Sequence, residues 1–160
     1  MEEYGKRLEG KVAIVTGAGA TGSGEFVGIG QATSILLSRQ GAKVLLVDRE
    51  LSNAQTTAAQ IIEDGGDACV FVGDVTDAGS CEEMSKAAVS SYGKINILVN
   101  NVGISGPGSV TDVQEDFWDT VIDVNLKSVM LTSKYVIPEM INAGGGSIIN
   151  LSSIVGLRAG

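Results

Sequence analysis

The stretch Lys11–Glu50 constrains the fold of this 160-residue chain more than any other. An apolar run, Val12–Val15, is followed by a glycine-rich segment that ends at Gly28-Ile29-Gly30. An apolar helical pattern comes next, and a second apolar run, Val44–Val47, is closed by Asp48. This order of strand, glycine loop, helix, strand and acid predicts a βαβ unit.

A βαβ unit of this composition is suited to a dinucleotide. Backbone N–H groups reach a pyrophosphate only where no Cβ keeps it away, and the helix N-terminus adds partial positive charge. Asp48 can accept both hydroxyls of a ribose, and it would repel a 2′-phosphate, so NAD is predicted over NADP. Arg49 directly follows the acid and keeps NADP open, and glycine also serves ordinary turns, so a plain α/β turn is the alternative.

Composition predicts one globular domain over residues 1–160. Hydrophobic residues make up 44% of the chain and charged residues 19%. No apolar run reaches the ~18 residues that a membrane span needs. The first residues are polar and charged, unlike a signal peptide. We therefore expect a cytoplasmic protein with no membrane partner.

Charge and residue types exclude several kinds of function. The net charge is −8, with eleven basic against nineteen acidic residues, which disfavours binding to nucleic acid. The chain has no histidine, which excludes a Ser-His-Asp triad and any His-ligated metal centre. Cys69 and Cys81 are not spaced as zinc ligands, so no metal site is predicted, and Cys69 is expected in the core.

Apolar patterns alternate between strands and helices along the whole chain. The predicted strands cover 11–15, 43–47, 68–72, 95–99 and 147–151, and the predicted helices cover 29–40, 51–64, 78–92 and 113–142. This alternation predicts an α/β fold, a doubly wound parallel sheet with helices on both faces. Asp77 is expected to cap the third helix. The fourth is expected to begin with a capping box, from either Thr111 or Asp112, and to kink at Pro138.

Short motifs at the strand ends point to one family. A Thr-Gly pair opens the glycine loop, and further motifs follow the third, fourth and fifth predicted strands. In these features the sequence resembles the short-chain dehydrogenase/reductases, of the Rossmann type, over residues from about 8 to 160. The matching segments are Thr16-Gly17, Gly28-Ile29-Gly30, Asp74-Val75, Asn100-Asn101-Val102-Gly103, Asn125 and Ser153.

The resemblance implies a role for each of these segments. Gly17, Gly28, Ile29 and Gly30 would bind the cofactor together with Asp48. The pair Asp74-Val75 would bracket the adenine, and Asn100 would line the cofactor site. Asn125 would hold a water in a proton relay, and Ser153 would hydrogen-bond the substrate oxygen. The implied reaction is hydride transfer between NAD and a small alcohol or ketone, in a homo-oligomer packed through the fourth helix.

The glycine loop is longer than the family pattern, because Ala18–Val27 stand where the family has three residues. Gly22 and Gly24 offer a competing register. Gly28 and Gly30 are preferred because the helical pattern starts directly after them. The extra residues include Glu25, whose charge would oppose a nearby phosphate.

The family's Tyr-x-x-x-Lys is not present in these 160 residues. The three tyrosines are followed, four positions later, by Leu8, Asn96 and Glu139. Tyrosine needs a nearby positive charge to ionise near neutrality, because its ordinary pKa is about 10. We therefore expect an incomplete form of the enzyme, with weak or no activity of its own.

Two other functions remain open at this point. The chain could be a non-catalytic NAD-binding or interaction module. It could also be an S-adenosylmethionine methyltransferase, since those enzymes likewise combine a glycine loop with an acid after the second strand. The stretches Asn100–Gly103 and Asn150–Ser153 weigh against the methyltransferase.

Overall fold

A computed structural model describes residues 6–20, 26–106 and 108–156. Its strands are β1 (Val12–Thr16), β2 (Lys43–Asp48), β3 (Ala68–Val72), β4 (Ile97–Asn100) and β5 (Ser147–Asn150). Its α-helices are α1 (Ile29–Arg39), α2 (Leu51–Glu63), α3 (Ala78–Tyr92), α4 (Glu115–Ile122) and α5 (Ser128–Asn142). A π-helical segment, Asp123–Lys127, joins α4 to α5, and a 3-10 turn, Ile154–Gly156, follows β5.

The described strands form one parallel sheet in the order β3-β2-β1-β4-β5. In the central register Ile14 lies between Leu45 of β2 and Leu98 of β4. The chain runs outward from β1 in one direction and then, through β4, in the other. The predicted doubly wound α/β fold is therefore confirmed, and the switch in direction falls between β1 and β4, where such sheets open a crevice.

Two apolar clusters hold the helices on opposite faces of the sheet. On one face α3 and α5 contribute Met84 and Val136, which are buried with Ile14 of β1. On the other face α1 and α2 contribute Ile35 and Ile61. Because β1 is covered on both faces, its residues form an unbroken buried run.

The helix ends agree with prediction in one case and not in another. Asp77 caps α3, since its carboxylate accepts the N–H of Ser80 at 2.7 Å. Neither predicted capping box forms, because α4 begins at Glu115 after Gln114, which makes no side-chain cap bond. The side chains of Thr111 and Asp112 pair with Ser109 in the preceding turn instead.

The fourth predicted helix is one continuous helical stretch with a change of geometry inside it. The turn Asp123–Lys127 has the wider π spacing, and helical dihedrals continue through it on both sides. Pro138 lies inside α5, which continues to Asn142. No helix within the described ranges is both long enough and apolar enough to cross a membrane.

Candidate functional site

A cleft of about 510 Å³ lies at the carboxyl ends of β1, β2 and β3, next to the switch point. Main-chain segments that follow these strands form its floor, and α4 and the π-helical segment close one side. Four of its lining residues were predicted to bind the cofactor, namely Gly17, Asp48, Asp74 and Val75. The lining also includes Gly19, Arg49, Asn53, Thr76, Asn101, Val102, Ile104, Thr120 and Val124.

The first part of the glycine loop is tied to β2 and α2. The N–H of Ala18 donates to the carbonyl of Val47 at 3.1 Å, and the Ala18 carbonyl accepts the Thr57 hydroxyl at 2.9 Å. The N–H of Ala20 donates to the Asn53 carbonyl at 3.0 Å. These bonds fix the loop close to the end of β2, so the acid there lies beside the loop backbone.

Gly30 allows α1 to approach the loop. Gly28 is the N-cap of α1, which begins at Ile29, so the helix starts where the preferred register requires. Gly30 is buried, and a Cβ there would overlap the carbonyl oxygen of Gly17. The competing pair, Gly22 and Gly24, lies outside the described residues, as does Glu25.

Asp48 is held in place by the backbone around it. One carboxylate oxygen accepts the N–H of Gly19 at 2.9 Å, and the other accepts the N–H of Glu50 at 3.0 Å. Asp48 is partly buried and lines the cleft, and each carboxylate oxygen has a further lone pair beyond these two bonds. The carboxylate is thus fixed before any ligand arrives, and it presents acceptor oxygens to a diol.

Asp74 is ionised and restrained just after β3, the strand next to β2. Its Oδ1 accepts both the N–H of Thr76 at 2.8 Å and the Thr76 hydroxyl at 2.7 Å. These hydrogen bonds, with a smaller contribution from Arg49, hold the pKa of Asp74 below its usual value, although partial burial opposes them. Val75 is buried beneath it, where its carbonyl accepts the Cys81 thiol at 3.3 Å.

The two asparagines at the carboxyl end of β4, Asn100 and Asn101, make different contacts. Asn100 is buried, and its carboxamide bridges α5 and β5 through Thr132 at 2.8 Å and Asn150 at 2.9 Å. Asn101 lines the cleft, and its Nδ2 donates to the carbonyls of Thr16 and Gly17 at 3.1 and 3.0 Å. A cofactor contact from Asn100 stays a prediction, while its contact with the sheet and α5 is what the structure shows.

Asn125 and Ser153 both lie beyond the carboxyl edge of the sheet. Asn125 is in the π-helical segment, and its carboxamide pairs in both directions with the backbone of Ile104, each bond measuring 2.8 Å. Ser153 follows β5, and its carbonyl accepts the N–H of Gly156 at 3.0 Å. Both residues are exposed. The roles predicted for them, holding a relay water for Asn125 and bonding the substrate oxygen for Ser153, stay predictions.

Two features of the site were missed from the sequence. Gly19 is buried, and a Cβ there would lie 2.6 Å from the Asp48 carboxylate. Its position two residues after Gly17 of the Thr16-Gly17 pair was the available signal. The π-helical turn brings Val124 to the cleft and Asn125 to Ile104, and no residue pattern in the sequence indicates that turn.

The match to a known family decides the identity of this fold. The model of the family described as short chain dehydrogenase matches residues 11–160. The chain belongs to the short-chain dehydrogenase family. Its members use a nicotinamide dinucleotide, NAD or NADP, and act on small molecules as oxidoreductases. The methyltransferase alternative is therefore set aside.

Individual relatives agree with this assignment. A 3-oxoacyl-[acyl-carrier-protein] reductase of Thermotoga maritima is 38% identical over 94% of this chain and 58% of its own length. An uncharacterized oxidoreductase of Staphylococcus aureus is also 38% identical, over 94% of this chain and 62% of its own length. The chain thus spans about three fifths of the length of these curated relatives.

Solved structures show the same similarity. A crystal structure from Burkholderia xenovorans, described as that of a short-chain dehydrogenase/reductase, superposes with a TM-score of 0.90 at 40% identity. It covers 95% of this chain and 60% of the other. One from Sinorhizobium meliloti, described as a short-chain alcohol dehydrogenase, gives a TM-score of 0.87 at 34% identity. It covers 97% of this chain and 58% of the other.

The cleft fits a dinucleotide. Gly19 and Gly30 have no room for a side chain. The backbone of the glycine loop therefore borders the cleft at Gly19 and contacts the start of α1 at Gly30. Asp48 supplies acceptors for a ribose diol. Together these groups match the glycine loop, helix N-terminus and acid that bind dinucleotides in folds of this type.

The Gly19→Ala variant is expected to weaken binding of the dinucleotide by about tenfold or more. The added methyl group displaces the Asp48 carboxylate and breaks a charge-assisted bond worth about 1.5–3 kcal/mol. Fluorescence titration with NADH and NADPH measures the loss. Gly79→Ala, in the first turn of α3 and outside the cleft, is the matched control. Equal affinities for Gly19→Ala and Gly79→Ala would show that the methyl group is tolerated.

Proposed function

We propose that the protein is an NAD-dependent oxidoreductase that moves a hydride between nicotinamide and a small alcohol or ketone, and that these 160 residues form its dinucleotide-binding domain. The observation that carries this proposal is the fixed carboxylate of Asp48 at the end of β2. It lies in the same cleft as the glycine loop, where the ribose of a bound dinucleotide would be.

The preference for NAD follows from the charge of Asp48. Because both carboxylate oxygens are engaged by backbone N–H groups, the side chain cannot turn away without breaking those bonds. A 2′-phosphate would therefore meet a like charge at short range, whereas a free 2′-hydroxyl would donate a hydrogen bond to it.

The other site residues complete the proposed arrangement. Asp74 and Val75 would bracket the adenine where the chain leaves β3, next to the end of β2. Asn125 positions the loop after β4 by clamping Ile104, and Ser153 would hydrogen-bond the substrate oxygen. The dinucleotide, when bound, supplies or accepts the hydride.

None of the three tyrosines fits the role of proton donor, because none is followed by a lysine four residues later. Tyr92 lies at the amino end of the sheet, where its hydroxyl donates to Asp67 at 3.0 Å. Burial, with smaller contributions from Cys69 and Asp67, raises the pKa of Tyr92 far above its ordinary value. This residue is thus remote from the cleft and unsuited to release a proton.

This feature favours a second candidate, a domain that binds NAD without catalysing turnover. In this alternative the cleft and the Asp48 carboxylate keep their role, and the missing proton donor limits the 160 residues to binding. The two candidates differ only in turnover.

The Asp48→Ala variant is expected to bind NADH at least about tenfold more weakly. It loses hydrogen bonds to the ribose from a charged acceptor, each worth about 1.5–3 kcal/mol. Fluorescence titration measures the affinity, and a thermal melt checks folding. Asp112→Ala removes an exposed carboxylate in the loop before α4 and serves as the control. Unchanged affinity in Asp48→Ala would refute the proposed ribose contact.

The 160-residue chain is expected to bind NADH yet to reduce NAD at a rate below about one hundredth of that of a complete enzyme, because a general acid typically contributes ~10²–10⁴ in rate. Steady-state absorbance of NADH across a panel of small alcohols and ketones measures this. Robust turnover on any of them would show that another group moves the proton.

Association with a second copy is proposed through the outer face of the continuous helical stretch formed by α4, the π-helical segment and α5. Large apolar side chains on this face are exposed, and Leu126 and Ile141 are 64% and 70% accessible. Burying such side chains in a partner is favourable, and contiguous exposed patches of this kind commonly mark interfaces. The exposed residues are Trp118, Ile122, Leu126, Met130, Ile137 and Ile141.

A cytoplasmic location stays a prediction from the sequence.

The Leu126→Glu variant is expected to be monomeric where the unmodified chain self-associates, because a charge would be buried in the interface. Sedimentation velocity at several concentrations measures the association. Ile62→Glu is the matched control, since Ile62 on α2 is similarly exposed at 59%. A monomeric unmodified chain, or equal association of both variants, would exclude this helix face as the interface.

A further inference from the structure

Arg49 is the one cationic side chain that lines the cleft within the described residues. It directly follows the acid that is proposed to bind the ribose. Its side chain is 71% exposed, and Nη1 lies 4.0 Å from Oδ2 of Asp74, which follows the neighbouring strand β3. Among the described residues of the lining, only this side chain could supply a countercharge to a 2′-phosphate that entered the cleft.

Asp74 is built to keep one oxygen available for that guanidinium. Thr76 occupies Oδ1 with two hydrogen bonds, at 2.8 and 2.7 Å, and so fixes the carboxylate plane. Oδ2 then remains as the acceptor that faces Arg49. Since Asp74 stays ionised, this attraction is present throughout the neutral range of pH.

We propose that Asp74 is a specificity-determining positioning residue, which keeps Arg49 beside the end of β3 and thereby denies NADP the one countercharge that the described lining offers. This inference rests on the proposed function and deepens it. Asp48 opposes a 2′-phosphate directly by like charge, whereas Asp74 acts indirectly by competing for the cation. The chain therefore excludes the phosphate twice, with two carboxylates at the ends of the neighbouring strands β2 and β3.

The size of the effect is set by solvent exposure. Ion pairs between exposed groups are weak, so releasing Arg49 is expected to change relative affinities by about two- to fivefold. Such a change is measurable as a ratio, because NAD and NADP share the adenine, the pyrophosphate and the nicotinamide. Any general damage to the site lowers both affinities and cancels in the ratio.

The test is Asp74→Asn, which preserves the shape of the side chain and removes its charge. The affinities for NADH and NADPH are measured by fluorescence titration in the 160-residue chain. The affinity for NADPH relative to NADH is expected to rise about two- to fivefold. An unchanged ratio would overturn the proposal.

The same substitution in an Arg49→Gln background separates the indirect effect from a direct one. If Asp74 acts through Arg49, the ratio is unaffected by Asp74→Asn in this background. An equal rise in both backgrounds would overturn the proposal, since the carboxylate would then repel the phosphate by itself. Asp64→Asn removes a charge of similar exposure at the end of α2, where Asp64 pairs with Arg39, and is expected to leave the ratio unchanged.

Thr76→Val provides a second variant should Asp74→Asn not fold. It removes one of the two bonds that fix the Asp74 carboxylate and is expected to raise the ratio by a smaller factor. Absence of any rise in this variant would then overturn the proposal. If the unmodified chain binds neither dinucleotide, the proposed function itself fails. If it binds both and the ratio does not respond, only the role of Asp74 fails.

Discussion

The hydrogen bond from the Gly19 N–H to the Asp48 carboxylate is the contact on which the cleft depends. It requires the loop after β1 to pass within 2.9 Å of the end of β2, and this is possible only because Gly19 has no Cβ. A side chain there would displace the acid. The parallel pairing of β1 and β2 brings the two strand ends to the same edge, and the bond then fixes the acid relative to the loop. The backbone N–H of Gly19 therefore fixes both the path of the loop and the position of the carboxylate.

Charge is distributed around the cleft in a way that suits one kind of ligand. The carboxylates of Asp48 and Asp74, after the neighbouring strands β2 and β3, are each held by backbone or hydroxyl donors, and their positions do not depend on a bound molecule. The single described cation of the lining is paired with one of them. A ligand with free hydroxyls gains acceptors from such a surface, while an additional phosphate meets uncompensated negative charge.

Most of the fold could be predicted from the sequence because its signals are local. Alternating apolar runs and helical patterns fixed the strands, and β3 and α3 agree with prediction to the residue. The start of α4 was missed because Ser109 competes for the hydroxyl and carboxylate of the expected capping boxes. The crowding at Gly19 and the bridge made by Asn100 depend on segments far apart in the chain, so no local pattern contains them.

The π-helical turn at Asp123–Lys127 divides the long helix into two parts with different partners. Val124 and Asn125 turn toward the cleft and the loop after β4, whereas Leu131, Val136 and Met140 pack into the core. An α-helix advances about 100° per residue, so the widened turn acts as a phase shift between the two parts. Substitutions within this turn can therefore change the angle between the Asn125 carboxamide and the loop at Ile104 without rotating the buried side of α5 out of the core.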